Sequence, residues 1–239
     1  MEKLYIVIPA YNESENIDSV VNQWYPIIEK YNCNNNSRLV IINDGSKDDT
    51  LKKLKKIAKN KPLLTPLDKK NGGHGSSVLF GYRYAIKNKA TWIFQTDSDG
   101  QTNPDEFHQF WKLKNKYDAI IGDRQSNRED GISRKFVENV LRHIIKHYFN
   151  VSVPDTNAPF RLMKTKLVAK YINKMPKNYN LPNVMLTTYF AYFHENTKFI
   201  KVSFKPRQAG INTINIKKIS KIGKQSLTDF KFLRNHINE

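Results

Sequence analysis

Short apolar runs that end in polar clusters recur along this chain, and an amphipathic stretch follows nearly every one. Leu4 to Ile8 closes at Pro9, Leu39 to Ile42 closes in NDGSKDDT, Trp92 to Phe94 closes in TDSDGQ, and Ala119 to Gly122 closes in GDR. Runs of this length read as buried strands, and the intervals between them carry apolar residues at helical spacing. Ile17, Val20, Val21 and Trp24 mark a first helix that Pro26 is expected to interrupt. Leu51, Leu54, Ile57 and Ala58 share one face of a lysine-rich second helix, with Asp and Ser residues before it as caps. Ser76 to Lys87 reads as a third, and Pro104 opens a fourth that turns Phe107, Phe110, Trp111 and Leu113 inward. A run at Leu63 to Leu67 is confined by Pro62 and Pro66 to a sheet edge or a loop. Later, Leu181 to His194 reads as a helix and Phe199 to Phe204 as a strand. The alternation predicts an α/β fold with an open, mostly parallel sheet flanked by helices, and such sheets bind ligands at the carboxyl ends of their strands.

The strand end at TDSDGQ carries the most chemistry. Asp97 and Asp99 stand one residue apart, repel each other, and gain most from a shared cation. An oxygen-only ligand set points to Mg²⁺ or Mn²⁺ rather than zinc, while the same residue types also suit a solvated turn. Upstream, Gly72, Gly73 and Gly75 open a helix, where backbone can approach a ligand closely and phosphate is attracted. The dinucleotide fingerprint would need Gly at Val78 and a P-loop would need Lys-Ser/Thr after the glycines, so neither applies. His74 is a lone histidine and is assigned no metal role. Arg124, Arg128, Arg134 and Arg161 lie at or beside loops around a helix marked by Phe136, Val140, Leu141, Ile144 and Ile145. Clustered guanidinium forks suit phosphate because each can pair two oxygens at once.

Forty Lys and Arg against 22 Asp and Glu give a net charge of +18, which calls for an anionic partner: nucleic acid, an acidic membrane surface or phosphorylated ligands. No nucleic-acid module is recognisable and the aromatic residues are directed toward a core, so nucleic acid is not the expected partner. The single Cys33 rules out an internal disulfide framework and a cysteine-rich zinc site. The first apolar run is too short for a signal peptide, and no stretch has the length of apolar residues that a bilayer requires.

Taken in order, VIPAYNE, NDGSKDDT, NGGHGSSVLFG, TDSDGQ, GDR and DTNAPFRL resemble glycosyltransferase family 2, in particular its branch of dolichyl-phosphate mannose synthases and bacterial polyprenyl-phosphate glycosyltransferases. The resemblance runs from about Lys3 to Leu162, with a weaker echo at KPRQAG. It implies a GT-A fold over residues 1–210, inverting transfer from a UDP- or GDP-sugar, and a basic tail at 211–239. By the same resemblance Pro9, Tyr11, Glu13 and Asp44 would line the nucleotide, Gly73 and Gly75 would form the small-residue loop, and Asp97, Asp99 and Gln101 would hold Mg²⁺ or Mn²⁺ bridging to the donor diphosphate. Arg124, Arg134 and Arg161 would serve donor and acceptor phosphates.

The expected acceptor is a polyprenyl phosphate, with a sugar hydroxyl as the alternative. A polyprenyl phosphate is already anionic and needs no base, whereas a sugar hydroxyl of a growing polysaccharide needs a carboxylate to take its proton, with Asp155 preferred over Asp123. Glu138 replaces the Ser that follows the arginine in this branch, and Ala158 and Pro159 replace its small Ser-Gly step, changes that fall on the acceptor side. A carboxylate there would repel phosphate unless Arg134 or Arg142 pairs with it. The expected location is cytoplasmic, at the inner face of the cell membrane, with peripheral contact through the basic surface. The tail, with Ile214, Ile216, Ile219 and Ile222 raggedly spaced, suits either an amphipathic membrane-proximal segment or packing at the domain edge.

Overall fold

In the computed structural model of the chain, residues 2–34, 36–124, 132–176, 179–205 and 228–235 are described, without the side chains of 132–137. The strands follow from the apolar runs. β1 (Leu4–Ala10) is buried at every position, and β2 (Arg38–Asn43) at all but its first. Such strands must be covered on both faces, as those of parallel sheets are. Residues alternate accordingly: Leu4, Ile6 and Ile8 of β1 face one apolar cluster, and Tyr5 and Val7 face the other.

Helices α1 (Ile17–Lys30), α2 (Thr50–Ala58) and α4 (Phe107–Leu113) cover the first face, with Trp24, Leu54, Phe107 and Phe110 in its core. On the opposite face lie α3 (His74–Lys87), α5 (Ile132–Phe149), α6 (Thr165–Ile172) and α7 (Pro182–Tyr192). Pro26 does not end α1. The buried face continues through Tyr25, Ile27 and Ile28, and that packing outweighs the roughly 3 kcal/mol that an interior proline costs.

Among the described residues the sheet has seven strands in the order β3-β2-β1-β4-β6-β5-β7, where β3 is Leu64–Asp68, β4 Trp92–Gln95, β5 Ala119–Asp123, β6 Arg161–Lys164 and β7 Thr197–Lys201. β3 is an edge strand, the place its Pro66 allows. Every pairing is parallel except those of β6, which runs antiparallel to both neighbours. The chain winds outward from β1 to β2 and β3, then returns to lay β4 on the other side of β1. That reversal creates a crevice beyond the carboxyl ends of β1 and β4, where ligands bind in open α/β sheets. Residues 228–235 form a short helix whose Phe230 packs against Phe149, with ring centroids 6.3 Å apart, while Arg234 donates to the Tyr148 carbonyl. The remainder of the tail expected at 211–239 lies outside the described residues.

Candidate active site at the strand ends

Three loops converge on the crevice. The first two, after β1 and β2, are sewn together: Asn12 N donates to Ser46 Oγ, Glu13 N to Thr50 Oγ1 and Ser14 N to Asp48 Oδ2. Burial alone would raise the Asp48 pKa, but hydrogen bonds from Thr50 and Ser14 outweigh it and hold the carboxyl low. Pro9 is buried inside β1, Tyr11 is half-buried just beyond it, and Glu13 is buried and accepts from Asn16 Nδ2 at 2.6 Å. β1 and β2 run in register from Tyr5 opposite Arg38 to Ala10 opposite Asn43, so Asp44 emerges beside Tyr11.

Asp44 organises the third loop. Its Oδ1 accepts from Lys69 Nζ and Gly72 N, its Oδ2 accepts from Gly73 N at 2.8 Å, and its carbonyl accepts from Asn71 Nδ2. Both carboxylate oxygens are thereby engaged in holding residues 69–73. Gly73 has φ +86°, a left-handed conformation that a side chain would strain. Gly75 is needed for another reason. A Cβ there would stand 2.4 Å from the carbonyl oxygens of Tyr179 and Asn180, so what approaches this glycine is the protein's own backbone.

Asp97 lies just past β4. Its Oδ1 is buried and accepts no hydrogen bond, and His74 Nε2 stands 3.7 Å away. A buried carboxylate oxygen without a donor is costly, and a cation would satisfy it, so this residue fits a metal seat. Asp99 Oδ1 accepts from Gln101 N at 3.2 Å. Gln101 is buried, and its Nε2 donates to the Lys205 carbonyl at 2.9 Å. Among the described residues no group of three or more His, Cys, Asp or Glu side chains could hold a metal ion.

The arginines are deeper than their sequence positions suggest. Arg124, after β5, makes a fork with Asp155: Nε to Oδ2 at 2.8 Å and Nη2 to Oδ1 at 3.0 Å. Asp155 is fully buried. Burial opposes the Arg124 charge, but the hydrogen bond and charge of Asp155 outweigh it, with Glu138 and Asp97 adding to the effect, and raise its pKa. Phe204 lies under the guanidinium at 5.1 Å. Both oxygens of Asp155, the carboxylate preferred as a base for a hydroxyl acceptor, thus accept from the Arg124 guanidinium. Arg161 is also fully buried. It donates to the carbonyls of Ala158 and Asn183, and burial pushes its pKa down to about 10 although Tyr82, Asp155 and Asp97 favour its charge. Its place behind the crevice wall is set by β6, which puts Arg161 opposite both Gln95 and Ile121. Gln95 in turn accepts from the Tyr82 hydroxyl.

Glu138, on α5, turns inward and accepts from both Thr156 N at 2.9 Å and Thr156 Oγ1 at 2.7 Å. It braces the DTN segment against the helix. Arg134 lies on α5, but its side chain is outside the described residues, as is the whole of Arg128. The structure thus brings Asp97, Arg124, Asp155 and Arg161 into one electrostatic cluster and sets Asp44 in the neighbouring loop. Sequence reasoning did not single out Lys69, Tyr82, Gln95 or Phe204, whose partners are distant in the chain and leave no local pattern.

Residues 5–175 match Glycosyl transferase family 2. The chain belongs to that family. Among its relatives, an uncharacterized glycosyltransferase of Synechocystis is 24% identical over 97% of this chain and 70% of its own length. An undecaprenyl-phosphate 4-deoxy-4-formamido-L-arabinose transferase of Pseudomonas savastanoi is 22% identical over 68% of this chain and 48% of its own. A dolichyl-phosphate beta-glucosyltransferase of Trichomonas vaginalis is 28% identical over 70% of this chain and 52% of its own. The chain therefore spans only about half the length of these last two relatives. Among solved structures, glucosyl-3-phosphoglycerate synthase of Mycobacterium tuberculosis in complex with Mn²⁺ and UDP-glucose superposes with a TM-score of 0.68 at 13% identity, over 98% of this chain and 79% of that one. S. aureus TarS in complex with UDP-GlcNAc gives 0.59 at 18% identity, over 94% of this chain and 65% of that one. These neighbours share the fold, and the α/β sheet of this member of family 2 is that of the GT-A glycosyltransferases.

Proposed function

We propose that this family 2 member is an inverting glycosyltransferase that takes a sugar from a UDP- or GDP-sugar, with Mn²⁺ or Mg²⁺ bound, and delivers it to a polyprenyl phosphate. The observation that carries the reading is the buried, undonated Oδ1 of Asp97 at the crevice where the sheet reverses its winding. Asp97 and Asp99 would hold the cation, which supplies neutralisation of the charge that grows on the departing diphosphate. The half-buried Tyr11 would meet the nucleoside, and Asp44 would act on it through the loop it fixes. Arg124, held by Asp155, would present a preformed positive field to the phosphates.

The choice of acceptor follows from the same wall. Asp155 is engaged by Arg124 and Glu138 by Thr156, so neither is poised to take a proton from a hydroxyl. An acceptor that arrives already anionic needs no such group. Polyprenyl-phosphate relatives agree with this choice. No helix among the described residues is long and apolar enough to cross a membrane, and the chain's net charge of +18 would favour contact with an acidic membrane that holds a lipid acceptor.

A panel of UDP- and GDP-sugars, assayed for released nucleotide with Mn²⁺, Mg²⁺ or chelator, tests the donor side. Metal-dependent release only when polyprenyl phosphate is supplied is the expected result. Reaction with oligosaccharide acceptors alone, abolished by Asp123→Asn, would replace this acceptor with a sugar hydroxyl. Salt-sensitive binding of DNA or RNA with no nucleotide-sugar binding would overturn the enzyme reading altogether.

A further inference from the structure

The outward face of α5 carries a constellation that the crevice does not use. His143 and His147 stand four residues apart, so they lie on one face of the helix a single turn from each other, and both are exposed. The buried residues of the same stretch, Glu138, Ile145 and Phe149, fall on the opposite face. His143 Nδ1 lies 2.7 Å from the Asn139 carbonyl oxygen. A carbonyl oxygen only accepts, so Nδ1 carries the proton and the ring's lone pair is left on Nε2. The His147 ring packs edge-on against Tyr148, with centroids 5.2 Å apart and planes at 83°. Among the described residues neither Nε2 meets a hydrogen-bond partner.

We propose that His143 and His147 form a two-imidazole site on α5 for a nitrogen-preferring divalent transition metal, of the class of Zn²⁺, Ni²⁺ and Cu²⁺. Histidines four apart on a helix can close on one ion, the spacing that helical zinc motifs use. Donation of the other ring nitrogen to a carbonyl is what fixes the tautomer and orientation of a ligating histidine. Imidazole ligands favour these metals over Mg²⁺ and Mn²⁺, so the site selects against the hard cations that suit Asp97 and Asp99. Arg142 and Lys146 flank the pair and their charge works against a bound cation, which makes the ion exchangeable, with water completing its coordination. The ion would clip one turn of the helix whose Glu138 braces Thr156 on the other face. Nothing in this site depends on the proposed donor or acceptor.

The untagged chain is titrated with Zn²⁺ by calorimetry, and with Cu²⁺ by electron paramagnetic resonance, which counts the coordinated nitrogens. The wild type is expected to bind one equivalent, to show two imidazole nitrogens on Cu²⁺, and to keep its Zn²⁺ affinity in excess Mg²⁺. His143→Ala and His147→Ala should each leave one nitrogen and weaken Zn²⁺ binding by about ten-fold to a hundred-fold, the range that loss of an orienting partner alone can cost. Both side chains are exposed, so neither variant disturbs the core, and His143→Gln repeats the test with a polar side chain kept on the helix. Absence of binding by the wild type, a single coordinated nitrogen, or an affinity unchanged in the double variant would overturn the proposal. Loss of binding in His74→Ala, or displacement of Zn²⁺ by Mg²⁺, would also overturn it by placing the metal at the carboxylate turn.

Discussion

The half of the crevice built on β1, β2 and β4 differs from the half built on β5 and β6 in how its charges are satisfied. At the end of β4, Asp97 keeps a buried oxygen that accepts nothing. Across the wall, Arg124 is forked by Asp155, and Arg161 is enclosed by backbone carbonyls. In the first half Asp44 has both oxygens engaged while the end of β4 keeps an oxygen that a cation can satisfy, and the other half has met its demand internally and offers a fixed field. Carboxylates of one cluster thus contribute to stability in different degree. Removing Asp97 takes away a longer-range partner of Arg124 and Arg161, whereas removing Asp155 strands a buried cation outright.

Asp97→Asn breaks the comparison most sharply. Loss of the proposed cation site should lower metal-dependent nucleotide release by about 10³-fold, with a melting temperature unchanged or slightly lowered, since Asp97 also favours the charge of Arg124 and Arg161. Parallel turnover and thermal melts check both halves, and full activity in this variant would remove the metal assignment. Asp155→Ala should act chiefly on the fold. Stranding Arg124 is expected to cost about 3–5 kcal/mol in urea unfolding, the usual penalty for breaking a buried ion pair from one side. A loss below 1 kcal/mol would mean that Arg124 swings out to solvent.

Gly75→Ala probes the seam between the halves. The added Cβ must displace the backbone at Tyr179 and Asn180, which should cost about 1–3 kcal/mol by the same measurement. A neutral result would show that the 179–180 segment gives way easily. The smallest effect belongs to Asp48, whose folded pKa lies below its ordinary 3.8. The folded state therefore holds fewer protons than the unfolded one between those two values. Its stabilising contribution is complete above pH 3.8 and fades as pH falls through the folded value. Asp48→Ala should flatten that acid limb in urea unfolding followed against pH, and lower stability slightly at neutral pH, where the contribution it removes is complete.

The parallel core and its helices were legible in the sequence because each rests on a local period. Apolar runs at Leu4 to Ile8 and Leu39 to Ile42 announced β1 and β2, whereas the proline-bounded run after Pro62 left an edge strand and a loop both open. The motif order likewise led to the family before any contact was known. Pro26 misled for a physical reason: local propensity argued for an end to α1, and burial of Ile27 and Ile28 carried the helix past it. β6 had no readable signature. Arg161 to Lys164 is too short to show alternation, and its antiparallel pairing depends on strands far away in the chain.

What the sequence determined by itself, then, was the carboxylate pair at the end of an apolar strand and the βα frame that presents it. Strand burial and helix periodicity act over a few residues, so they can be read directly from their order. Only the tertiary structure decided which charges are free to act. It laid β6 between β4 and β5, enclosed Arg161, closed Asp155 on Arg124 across 31 residues, and returned Lys205 to Gln101 across 104. Hydrogen bonds of that reach depend on where the strands come to rest, and no local pattern in the chain encodes them.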